Sequence, residues 1–318
     1  MSVLDQATQR PASLLARVPG VAAVLAALIL AFGLASPNFI SFGNIANILS
    51  QSTILLLVAL PATLIILTEG LDLSVGAVVT FAGIVLASVA LATGSMLAGM
   101  FAGLAVGLAF GLLNGALIAS LGIPPFIATL GTLGVAQGLS LVVTDGQSIV
   151  GIPRSIELLY STTVFNIPLP VIISALAYAL VHVLLYHTRF GTYIFALGGN
   201  REALRVAGVS ERRYLIAVYA LGGLMAGFAA LLMTARMNAA HPTAAIGMEF
   251  DAIAAVAVGG TSFERGNGWL FGTLLGVLAV GVLRNGLNLL AVPSSVQVAC
   301  IGGLVIAAML IDALRSRS

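Results

Sequence analysis

The chain has 318 residues, of which 60% are hydrophobic and 8% charged, with a mean hydropathy of +1.13. A soluble domain carries about 25% charged residues, so an ordinary water-facing surface is excluded. The formal charge of +2 comes with thirteen Arg and no Lys, in no cluster dense enough to point to nucleic acid.

Runs of about 20 apolar residues recur, each long enough to cross roughly 30 Å of hydrocarbon as a helix. A closed barrel also satisfies its backbone in lipid, but barrel strands alternate apolar and polar residues over about ten positions, and no stretch here does. The pattern is that of an all-α membrane protein, one transmembrane domain over residues 1–318. Residues 1–17 form a polar tail. The apolar run after it lacks a small-residue cleavage site and reads as an uncleaved first helix rather than a signal peptide.

Ten spans are expected, at 18–36, 45–68, 74–93, 96–120, 124–144, 168–187, 214–235, 246–260, 269–285 and 295–313. Gly259-Gly260 shortens the eighth, and Gly286 with Pro293 crowds the end of the ninth. Either is a candidate half-helix, because irregular backbone is tolerated at membrane depth where protein or a cavity surrounds it. With the N-terminus inside, ten Arg (10, 17, 189, 201, 205, 212, 213, 265, 315, 317) fall on inner segments and three (154, 236, 284) on outer ones. This positive-inside bias favours ten spans with both termini in the cytoplasm. Two connections exceed a turn: an outer loop at 145–167 and an inner one at 188–213.

In the fourth span, Gly99, Gly103, Gly107, Gly111 and Gly115 recur every four residues. Small-xxx-small spacing lets helix backbones approach closely in lipid. Packing within one subunit is the ordinary outcome, and a dimer seam is the alternative. The inner loop reads Gly198-Gly199-Asn200-Arg201-Glu202-Ala203-Leu204-Arg205-Val206-Ala207-Gly208-Val209. Asn200 suits an N-cap and Glu202 the first turn of a short helix, and Gly208 suits the left-handed position after its end. Such an amphipathic helix either lies in the headgroups or docks into a partner's groove.

The Glu202-Ala203-Leu204 run with Gly208 resembles the Glu-Ala-Ala-x-x-x-Gly loop of ATP-binding cassette importer permeases, with Leu204 in place of a small residue. Gly70-Leu71-Asp72-Leu73-Ser74-Val75-Gly76 is similar to the hallmark of the ribose-type sugar permeases. So are Pro125–Gly131, Ala196–Asn200, Asp251–Val256 with Gly259–Ser262, and Asn285–Leu290. The blocks cover roughly 36–312 in the family's order, and the chain is identified as a member of the monosaccharide and branched-chain amino-acid permease superfamily.

The resemblance implies a permease of the bacterial inner membrane, paired with a second copy or a paralogue. It would be fed by a periplasmic sugar-binding protein that meets the outer loop, and driven by cytoplasmic ATPase subunits holding ATP and Mg. The chain itself would be no enzyme and bind no cofactor. Its coupling loop would comprise Gly199, Asn200, Glu202, Ala203, Arg205 and Gly208. One residue-level argument agrees. A Walker-type phosphate loop needs a Lys, and this sequence contains none.

Charges near membrane depth are functional candidates by default. Glu69 and Asp72 fall at the inner junction of spans two and three, where Asp72 suits a helix cap and Glu69 a cap or hinge. Glu249 and Asp251 open the eighth span, either complementing its N-terminus or facing the outer mouth of the pathway. Arg236 and Arg284 are expected to snorkel to an interface. Arg154 either docks a binding protein or is simply solvated. His182, His187 and His241 have no metal-ligand spacing, and Cys300 is alone. Candidates for contact with a sugar are Asn114, Thr129, Gln137 and Asn238, with Phe81 and Phe126 as platforms, although polar residues in spans commonly bond a neighbouring helix. An ion- or proton-coupled carrier is the alternative class, disfavoured here by charges at span ends rather than near the midplane. A branched-chain amino-acid permease is the rival within the class.

Overall fold

The computed structural model describes residues 14–262 and 266–315. Helices α1 (Leu14–Ala35), α2 (Phe42–Leu67), α3 (Val75–Thr93), α4 (Met96–Leu121) and α5 (Pro125–Thr144) come first. The connection expected to face outward follows, with β1 (Ile149–Val150), α6 (Arg154–Ser161), β2 (Thr163–Val164) and β3 (Ile167–Pro168), and inner and outer below keep that expected orientation. Then come α7 (Leu169–Tyr186), α8 (Arg189–Gly199), α9 (Arg201–Val206), α10 (Glu211–Met237), β4 (Ala239–Ala240), α11 (Met248–Val258), α12 (Leu270–Leu289) and α13 (Ser294–Arg315). Among the described residues the strands form two antiparallel pairs, β1 with β4 and β2 with β3. Local chemistry sets many boundaries. The Ser41, Ser95 and Thr188 side chains accept N–H bonds at the starts of α2, α4 and α8, as N-caps do.

Helix α2 is the central post. Every residue from Ser52 to Leu67 except Ala62 is buried, as expected of a helix apolar all round and enclosed by others. Helices α7, α10, α11 and α12 pack around it. By contrast, α4, α5 and α7 turn residues such as Phe101, Leu112, Val142 and Leu180 outward, the composition of a lipid-facing surface.

The five-glycine stripe of α4 is used within the chain. Gly99 and Gly103 lie on α3 at Leu86 and Ala90, while Gly107, Gly111 and Gly115 lie on α10 at Gly223, Tyr219 and Ile216. A methyl group on Gly107 would overlap the Gly223 carbonyl, and one on Gly223 the Gly107 carbonyl. Gly107→Val is therefore expected to remove folded protein from the membrane. Gly134→Ala, in open space on α5, should leave the amount within about twofold. Detergent-extracted yield and thermal melting of the two variants check this.

A helix stands at each of the ten expected spans, but among the described residues only seven are long and apolar enough to cross a membrane: α2, α3, α4, α5, α7, α10 and α12. The apolar parts described in α1 and α13, Gly20–Ala35 and Ser294–Ile306, are shorter. The eighth expected span is a half-helix. Helix α11 has 11 residues, about 16 Å at 1.5 Å per residue, bounded by Gly247 at φ 85° and by Gly259-Gly260. The ninth is corrected in the other direction, because α12 is a full 20 residues. Gly286 lies inside it, giving room to the Phe32 ring rather than breaking the helix. In the expected polar tail, Leu14 already begins α1, and residues 1–13 lie outside those described, as does Arg265 of the Arg count.

Two non-helical segments run into the bundle and set the functional geometry. Residues 68–74 leave the inner end of α2 and climb to Ser74, whose hydroxyl accepts from the Asn114 amide. Asn114 is seven residues short of the end of α4, about 10 Å along its axis, so α3 begins well inside the bundle. From the outer side, residues 238–247 descend until the Ala245 N–H reaches Thr80 in α3. The two segments meet where Gly76 lies against Glu249 and the Ala245 carbonyl. Irregular backbone at this depth is stable only because protein surrounds it.

Candidate functional site

A cavity of about 350 Å³ lies in the half of the bundle that the Arg count assigns to the outer side. Its wall is drawn from α2 (Gln51, Ser52, Leu55), α10 (Met233, Arg236), the descending segment, α11 (Met248, Asp251), α12 (Gly281, Arg284, Asn288) and α13 (Gln297). Asp251, in the first turn of α11, pairs with the Arg284 guanidinium of α12. The Asp251 side chain is 11% exposed and that of Arg284 43%, so the carboxylate is buried and the cation reaches into the cavity. The expectation that Arg284 snorkels to an interface is thereby corrected: a buried acid on the neighbouring helix holds it. Arg236 is exposed at the last turn of α10.

Two polar atoms on this wall have no partner, Ser52 Oγ and Arg284 Nε. Buried polar groups are nearly always bonded; these two are exceptions, covered by protein behind the wall. Gln51 and Gln297 carry further amides, bonded to Asn47 and to Asn288 with the Val292 carbonyl. The cavity therefore offers an ion-paired carboxylate, guanidinium donors and amides among apolar side chains. That mixture suits a small, many-hydroxyl ligand.

Below it, on the other side of α11, Asp72 and Glu249 border a much smaller void of about 10 Å³, together with Pro61, Ile65 and Val75. Asp72 accepts from the N–H and hydroxyl of Ser74, 2.8 and 2.6 Å away, so it caps the approach to α3 as the sequence suggests, although well inside the bundle. Glu249 is buried and its Oε2 has no partner.

None of the six sugar-contact candidates lines the large cavity. Asn114 bonds Ser74 and Thr132, Thr129 bonds the Pro125 carbonyl, and Gln137 bonds the Pro242 carbonyl across 2.9 Å. All three pin helices or the irregular segments. Phe81 packs edge-on against Phe110, Phe126 faces outward at 53% exposure, and Asn238 caps α10 in the left-handed conformation at φ 50°. Arg154 is exposed at the start of α6. His182 stacks among Tyr178, Tyr186 and His187. No cluster of potential metal ligands exists among the described residues.

At the inner end, Asn200 Oδ1 accepts from the Ala203 N–H at 2.9 Å and begins α9 as an N-cap. Gly208 takes φ 72° beyond the end of α9. Leu204, the departure from the small-residue pattern, is 5% exposed and sits in the chain's own core. Gly199, Glu202, Ala203, Arg205 and Val206 are exposed. The helix is thus anchored by one leucine and presents the rest of its surface outward. Sequence reasoning missed Arg201 here: its guanidinium bonds the Leu197 and Thr68 carbonyls, at 3.0 and 2.8 Å, and lies 3.6 Å from Glu69. It also missed Ser52 and the Asp251–Arg284 pair.

Comparison with known proteins agrees with this architecture. The chain is 40% identical over 291 residues to the ribose import permease of Bacillus subtilis strain 168, covering 91% of this chain and 90% of that one. It is 38% identical over 296 residues to the D-allose transport system permease of Escherichia coli K12, covering 92% and 91%. It is 36% identical over 302 residues to the ribose import permease of Haemophilus influenzae, covering 90% of each. No solved structure matches. The family model described as branched-chain amino acid transport system / permease component matches residues 44–310, nearly the whole described bundle. The chain belongs to this permease family.

Proposed function

We propose that the chain is the membrane-spanning subunit of an ATP-binding cassette sugar importer in the bacterial inner membrane, carrying a ribose-like monosaccharide by alternating access. The relatives named for ribose and allose supply the substrate class. The observation that carries the reading is the large cavity, whose wall sets the Asp251–Arg284 pair beside the amides of Gln51, Asn288 and Gln297. A periplasmic binding protein would deliver the sugar to this cavity. A second copy or a paralogue would complete the pathway, and α9 would couple it to ATPase subunits that hold ATP and Mg. The chain contributes no catalytic group.

The test is uptake in cells that express the chain with a cassette ATPase and a sugar-binding protein of the same family of importers and lack other pentose importers. Labelled ribose should accumulate at least tenfold above the ATPase-free control, and excess leucine should not compete. Accumulation of leucine in place of ribose would overturn the sugar reading in favour of the amino-acid one.

One observation supports a second reading, the ion-coupled carrier. Asp72 and Glu249 face a common void inside the bundle, and neither has a cationic partner among the described residues. Family membership argues against that reading, and reconstituted uptake with ATP and the ion gradients varied separately tells the two apart.

A further inference from the structure

We propose that Arg201 is the positioning residue through which motion of α9 reaches the transport cavity, with segment 68–74 as the element that moves. The proposal rests on the reading of α9 as the coupling helix.

The guanidinium of Arg201 ties three elements together. It bonds the Leu197 carbonyl at the end of α8, sits in the first turn of α9, and bonds the Thr68 carbonyl just past α2. Beneath it, Gly198 lets the Leu67 carbonyl and Gly266 lie against the α8 backbone, where a methyl group would collide with both. The next residue, Glu69, has φ 60°, a left-handed conformation that a non-glycine residue adopts only where its surroundings hold it.

From there the segment is attached at each step. Tyr219 Oη donates to the Leu71 carbonyl, Asp72 accepts from Ser74, and Ser74 accepts from Asn114. Asp72 and Glu249 border the same void, and Asp251, in the same first turn of α11 as Glu249, lines the large cavity. A displacement of α9 therefore has a bonded route along the segment as far as Asp72 and Ser74, and α11 faces them across the shared void. The route passes through backbone with no internal helix to resist bending.

The magnitudes say which contact matters. The Arg201–Glu69 pair is 45% and 44% exposed, and an ion pair that exposed contributes little. The two carbonyl bonds come from a charged donor and are the stronger kind. Lys, with a point charge and no planar fork, cannot span both carbonyls in the same way.

The experiment compares Arg201→Ala, Glu69→Gln and Glu202→Arg in complexes of the chain with its ATPase and binding protein, measuring sugar moved per ATP hydrolysed. Arg201→Ala should assemble with the ATPase and hydrolyse ATP within about twofold of wild type, while sugar per ATP falls at least tenfold. Glu69→Gln should stay within twofold on both. If Arg201→Ala keeps the wild-type ratio while Glu202→Arg loses it, the proposal is overturned and the α9 reading stands. If both keep the ratio, the α9 reading fails and the proposal falls with it. Hydrolysis and uptake falling by the same factor would also overturn it, since that is what a purely structural loss produces. Should the alanine variant not accumulate, Arg201→Gln is read by the same ratio.

Discussion

Uptake falls at least a hundredfold in Asp251→Ala, with the protein still inserted and extractable in normal amount. The carboxylate is nearly buried and its partner stands in the cavity wall, so its removal leaves the Arg284 cation facing the substrate path unpaired. Truncating one member of a buried hydrogen-bonded charge pair costs about 2–5 kcal/mol. With Arg284 partly solvated, the lower half of that range is the fair expectation, and about 2.7 kcal/mol corresponds to a hundredfold in rate. Arg284→Ala removes the partner and leaves a buried carboxylate, so its defect should be of similar size. Because the two residues act as a unit, the double variant should be no worse than either single one, a coupling that a double-mutant cycle resolves. Additive losses in the cycle would show that the pair does not act together. Near-normal uptake in both single variants would remove it from the pathway.

An equally large effect is expected at the other end of the molecule. Gly208→Pro should abolish ATP-driven uptake and leave membrane insertion intact. Gly208 has φ 72° and its N–H donates to the Arg205 carbonyl at 3.1 Å. Proline fixes φ near −65° and has no N–H, so both the turn and the bond are lost and α9 loses its C-terminal stop. Glu202→Arg tests the same loop without touching the backbone. Among the described residues Glu202 pairs only with Arg205, both largely exposed, so the fold should tolerate the change. Its charge reversal gathers three cations on one short helix and alters the surface offered to a partner. Retention of the ATPase on the complex and the rate of uptake separate folding from coupling. Full transport by both variants would contradict the assignment of α9.

Much of this was legible in the sequence because it is written in local chemistry. The apolar runs locate the helices, Asn200 and Gly208 bracket α9 through capping and a left-handed turn, and the four-residue glycine spacing of α4 foretells a close helix contact. Gly259-Gly260 marked α11 as a half-helix, since a glycine pair ends a span visibly. The sequence did not show that the connections before α3 and α11 enter the bundle. Residues 68–74 and 238–247 carry the Gly, Asp and Pro signals of ordinary surface turns, and their depth depends on Asn114 and Thr80, far along the chain. For that reason Asp72, Glu249 and Asp251 read as span-end charges, and this counted against an ion-coupled carrier. The structure places them around the two internal cavities, so that argument no longer holds. The Asp251–Arg284 pair joins residues 33 apart on different helices, which no local spacing reveals. The in-span polar residues were visible, but which of them face a cavity is decided by helix rotation. Asn114, Thr129 and Gln137 turned toward backbone and neighbouring helices instead.

The central claim is that the outer cavity belongs to a pathway powered from another subunit. Its most direct test is uptake of labelled ribose into proteoliposomes holding the purified chain, its ATPase and its binding protein, with ATP, proton gradient and sodium gradient varied one at a time. The account predicts accumulation that requires ATP and the ATPase subunit and is unchanged when either gradient is collapsed. Accumulation that follows an ion gradient, persists without ATP and needs only this chain would contradict it.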